Sequence, residues 1–123
     1  RAFETPALQL GLFDEAPLAD QIASLSETLR ELDTEPDTYD ALVKAWLDGD
    51  TAGLAEETES LRKASPELYR RLVRDRNAAW VRTLDARLKG RGRTVVVVGT
   101  GHLVGEDGLP ARLRALGYSV EGP

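Results

Sequence analysis

The 123-residue chain contains no cysteine and no methionine, and it has one histidine, His102. Without cysteine there is no disulfide, no thiolate metal site and no cysteine nucleophile. With one imidazole, a single copy cannot build a metal site that needs two or three histidines. Aromatic residues are sparse at 6% of the chain. No apolar run approaches the roughly 18 residues of a membrane span, and no secretory-signal pattern opens the sequence. With Arg1 in first place and no methionine anywhere, the sequence reads as a processed product or a piece of something longer.

What is present suits one soluble domain with one modest core: 41% of residues are apolar and 30% charged. The net charge of −5 conceals an asymmetry. Residues 1–60 carry 3 basic and 15 acidic side chains, and residues 61–123 carry 13 and 6. A basic half can meet a polyanion. No aromatic-interleaved basic motif accompanies these arginines, so no nucleic-acid partner is expected. Acidic and basic helices packed side by side, or solvated faces, account for the pattern more simply.

Helix signals dominate the first ninety residues. Thr5 and Pro6 suit the cap and first position of a short helix over about 6–14. Pro17 opens a second, in which Leu18, Ile22, Leu25, Leu29 and Leu32 recur at four-and-three spacing. A third is expected from near Pro36 to the turn at Asp48-Gly49-Asp50, and a fourth over about 51–63. Ser65, Pro66 and Glu67 start a long fifth helix that Gly90 and Gly92 end.

The pattern then changes. "RTVVVVG" is β-branched and apolar without alternation, as in a strand buried on both faces of a parallel sheet. A short helix follows, with Asp107 as its expected cap and Gly117 as its terminator, and "YSVEG" reads as another strand. The expected fold class is therefore α/β (α+β over this span): mostly helical, with a small parallel sheet and a C-terminal strand–helix–strand unit. Three strands, at about 1–4, 93–98 and 118–121, leave such a sheet incomplete. Absent sequence or a second copy of the chain is expected to complete it.

Gly99-Thr100-Gly101-His102 stands where the valine run stops, the end of a parallel strand at which ligands bind. Gly99 and Gly101 would let the backbone turn and approach a ligand closely. His102 would ligate a metal, transfer a proton or bind an anion; the simpler alternative is a loop histidine bonded to nearby backbone. The long helix supplies a companion. Arg76 falls between Leu72 and Trp80 on the apolar arc, where an unpaired guanidinium is costly, so it requires an anionic or acceptor partner, either in a site or equally as a structural ion pair with a core carboxylate. Asn77 borders the same arc. From Arg76 to Lys89 the helix runs roughly 20 Å, and the following extended segment returns about as far. His102 should thus come back level with Arg76. Glu4 could reach the same rim, or remain an exposed strand-end carboxylate.

"RDRNAAWVRTLDARL" and "VVVVGTGHLVGEDGLPARLRALGYSV" resemble the C-terminal part of the TraB/GumN family, related to the TIKI proteins, and the bacterial GumN-like branch is the best fit. "FETPALQLGLFDEAPLADQ" extends the resemblance over the whole chain. Of the family's two Gly-x-x-His motifs, the second matches at Gly99 and His102, and the first is absent. Its charged stretch matches at Arg76 and Asn77, with Asp75 where glutamate is usual. The resemblance implies that residues 1–123 are the C-terminal portion of one domain, with a helical part over 6–89 and a strand–helix–strand part over 93–121. It implies a metal-dependent hydrolase, peptidase-like, with His102 as metal ligand or acid/base and Arg76 and Asn77 as further catalytic residues; Glu4, if it reaches the rim, is the fourth catalytic candidate. A divalent metal ion, a peptide or small-molecule substrate, and a periplasmic or cell-envelope location follow from it as expectations. The missing N-terminal half, or a second copy, would be the partner, and the span alone would be inactive. The alternatives are a non-catalytic envelope binding or assembly module, and a haem or small-ligand binding protein.

Overall fold

The computed structural model describes residues 2–34 and 37–123. Helix α1 spans Pro6–Asp14, and the Thr5 hydroxyl accepts the Leu8 N–H at 3.2 Å. Helix α2 spans Leu18–Thr34, α3 Thr38–Asp48 and α4 Thr51–Ala64. The expected start of α3 near Pro36 lies outside the described residues. Gly49 ends α3 in the left-handed region (φ 70°), where a side chain would be strained.

The fifth expected helix runs in three pieces: α5 over Pro66–Tyr69, a wide π-turn over Arg70–Arg74, and α6 over Asp75–Leu88. The π-turn matters because it rotates the helix face. A 3.6-residue period makes Leu68 and Leu72 core residues, yet the buried stripe is Tyr69, Val73, Asn77, Trp80 and Leu84. Spacing of four and four across the π-turn keeps Tyr69, Val73 and Asn77 on one side. A single turn of 3₁₀ helix spans Thr100–His102, and α7 spans Leu109–Ala115. The core centres on Trp80, Leu84 and Leu109, with Phe3, Val81, Val98 and Leu113 against it.

The expected sheet does not form. Among the described residues there is no strand and no ladder, and the chain is predominantly α-helical. A β-strand exists only by hydrogen bonds to a neighbour, and each expected neighbour is engaged otherwise. Residues 3 and 4 bend into α1. At the C-terminus Arg114 donates to the carbonyls of Val120, Gly122 and Pro123, while the Tyr118 hydroxyl donates to the Asp85 carboxylate at 2.7 Å. The valine run is not sandwiched between layers: Val95 is 90% exposed and Val97 89%. It is held by the bond from Arg87 Nε to the Thr94 hydroxyl at 3.0 Å and by Val98 against the core.

Candidate functional site

The site is built on α6. Asn77 is fully buried, and its Nδ2 donates to the backbone carbonyls of His102 (3.2 Å) and Asp107 (2.8 Å). Those two acceptors fix which way the amide points, so Oδ1 faces His102 Nδ1 at 2.7 Å. Nδ1 must therefore carry the imidazole proton, and Nε2 presents its lone pair. That lone pair faces Arg76 Nη1 at 3.3 Å. A second N–H of Nη1 goes to the Leu72 carbonyl at 3.0 Å.

The other edge of the guanidinium grips Glu4. Nε and Nη2 donate to the two carboxylate oxygens at 2.8 Å each, a forked pair whose side chains are only 19% and 11% exposed. Trp80 Nε1 adds a bond to Glu4 Oε1 at 3.0 Å. The Trp80 ring is the floor of the cluster. It stacks on Phe3 (5.1 Å between centroids), lies 4.5 Å from the His102 ring, and has the Arg76 guanidinium over it at 4.7 Å.

These contacts set the protonation states. The hydrogen bonds from Arg76 hold the Glu4 carboxyl below the usual carboxylate range against the opposing effect of burial. Burial first, and then the charge of Arg76, pushes His102 down to about 4, with Glu4 partly offsetting. At neutral pH the cluster is one carboxylate, one guanidinium and one neutral imidazole. It sits at the end of a groove between α6 and the 94–98 segment, which Arg82, Arg87 and Gln9 also line.

Glu4, Arg76, Asn77 and His102, all singled out from the sequence, thus come together in one chain of contacts. At Gly99 and Gly101 the backbone itself makes no demand for glycine. Neither has positive φ, and a Cβ on either would meet its nearest atom at an ordinary 3.9 and 3.8 Å. Gly108 is demanding instead: a Cβ there would lie 2.8 Å from the Val104 carbonyl oxygen. The sequence pattern makes Trp80 a residue of the apolar arc and Asp107 a helix cap. Trp80 stands one turn after Arg76 on the same face, the signal that would have found it. Asp107 instead accepts from the buried Tyr69 hydroxyl at 2.9 Å and pairs with Arg112, while its carbonyl holds Asn77.

The donor set does not fit a divalent ion. Glu4 and the His102 Nε2 lone pair both face the same guanidinium, so an ion at either would have to displace or sit against a fixed positive charge.

Fold and cluster together define the class: a small, mostly helical domain that clamps one loop histidine, one arginine and one carboxylate against a tryptophan. The model of the TraB/PrgY/gumN family matches residues 1–122, and the chain belongs to that family. Comparison with curated proteins and with solved structures gives no match.

Proposed function

We propose that the Glu4–Arg76–His102 cluster is the reaction centre of a hydrolase acting on peptide-like substrates laid in the adjoining groove. The observation that supports this is the contact of Arg76 Nη1 with the unprotonated Nε2 of His102. A substrate carbonyl oxygen that replaces Nε2 as acceptor of this N–H frees the lone pair to take a proton from an attacking water. The guanidinium then faces the negative charge that develops on that oxygen, and as the tetrahedral centre collapses the C–N bond breaks and the imidazolium returns its proton to the leaving amine nitrogen. Glu4 balances the arginine before and after the reaction, and Asn77 keeps the imidazole in the tautomer the step requires.

A second reading rests on Asn77. A fully buried amide with three partners is a structural clamp in its own right, and it supports a non-catalytic binding module in which the cluster only holds the 99–108 loop. Peptide hydrolysis by the protein at its full natural length separates the two. Loss of roughly a hundredfold or more in kcat for Arg76→Gln and for His102→Gln, with folding retained, supports the hydrolase. Turnover unchanged by both, or no turnover in the parent protein, leaves the clamp.

A further inference from the structure

Helix α2 is inside out. Its apolar residues Leu18, Ile22, Leu25, Leu29 and Leu32 are 55–70% exposed. The half-buried positions of this 17-residue helix are instead the polar Ser24 and Glu27. An amphipathic helix of a finished monomer buries its apolar stripe, because each such side chain gains about 1.5–3 kcal/mol on leaving water. The whole chain shows the same surplus: it exposes 9037 Å², against about 6,500 Å² for a folded monomer of its mass.

The spacing of the stripe says what covers it. Leu18, Leu25 and Leu32 are seven apart, and Ile22 and Leu29 fall between them, so the residues take alternate a and d positions of a heptad. The positions flanking that seam are Ala19, Gln21, Ser26, Thr28 and Asp33, of which one is charged. In a parallel pair Asp33 faces the other copy's Thr28. The acidic residues Asp20, Glu27 and Glu31 all lie away from the seam. An acidic helix can therefore pair with itself without bringing like charges together, whereas nothing along the flanks would select a partner of opposite charge. Ile at an a position with Leu at d favours two strands.

We infer that the α2 face is a homodimer interface, in which two copies of the chain pair their α2 helices in parallel along this seam. Sedimentation of the chain over a wide concentration range should give a mass twice that of the monomer at the upper end. Leu25→Glu, at an exposed position, should leave the helical circular dichroism unchanged and weaken association at least about tenfold. Because the chain has no cysteine, Leu18→Cys offers a second readout that does not depend on disrupting the interface. Two parallel helices bring the two Leu18 positions together, so this variant should oxidise to a covalent dimer. A monomer at every concentration, association undiminished in folded Leu25→Glu, or a Leu18→Cys chain that does not cross-link would each overturn the inference.

Discussion

His102 holds its proton on Nδ1 because Asn77 leaves it no other arrangement, and burial beside Arg76 keeps a second proton away. Its midpoint near 4, against an ordinary 6.5, has a consequence for stability. Below pH 6.5 the unfolded chain takes up a proton that the folded chain refuses until about pH 4. Stability is therefore fully present above pH 6.5 and is lost as pH falls from there toward 4. Allowing for the partial exposure of the ring, the loss is about 1–3 kcal/mol. Urea midpoints at pH 7 and pH 4.5 should differ accordingly, and His102→Gln should shrink the difference. The single imidazole also gives one resonance to follow: it should titrate near pH 4, and Arg76→Gln should move it upward by removing the neighbouring positive charge.

At the scale of elements, the π-turn and the 99–108 loop position the cluster. The π-turn brings Asn77 inward, and the loop returns two carbonyls to meet it. Asn77→Ala should cost about 2–4 kcal/mol, since it leaves the His102 carbonyl and the Nδ1 proton without partners in a buried place and leaves the Asp107 carbonyl only its bond from Arg112. Gly108→Ala should cost as much or more, because its Cβ would run into the backbone of Leu103 and Val104. Gly101→Ala should stay within about 1 kcal/mol, having ordinary space around it. Denaturant unfolding of the three variants decides the ranking.

Helix starts and stops were legible in the sequence because they are local: Thr5, Pro6, Gly49 and Pro66 act on neighbours within a turn. The approach of Arg76 to His102 was legible too, since a helix and an extended segment have fixed rises per residue. The π-turn was not, because the residues Arg70–Arg74 carry no proline or glycine to mark a change of pitch. The role of Asp107 was hidden for a similar reason: Tyr69 lies 38 residues away, and no spacing rule connects them.

For the whole molecule, the four valines were the strongest misleading signal. β-branched residues favour extended backbone, but a sheet also requires a partner that composition does not name, and residues 95–98 form no ladder. The result is a core that lies on one side of the segment. Val98 packs against Trp80, Leu84 and Leu109, whereas Val95 and Val97 face outward. A strand sandwiched between two layers would lose stability at each of the four positions, by about 0.5–2 kcal/mol per valine truncated or made polar. The observed packing gives a different profile. Val95→Thr and Val97→Thr should change the unfolding free energy by no more than about 0.5 kcal/mol, as surface substitutions do. Val98→Thr places a hydroxyl against the core and should cost about 1–2 kcal/mol. Trp80→Ala should cost about 3–5 kcal/mol, because it removes the Phe3 stack, the Glu4 bond and the seat of the Arg76 guanidinium together. Equal losses at Val95, Val97 and Val98 would mean that the segment is covered on both sides in solution; losses confined to Val98 and Trp80 match a valine run that lies on the core with its outer face open.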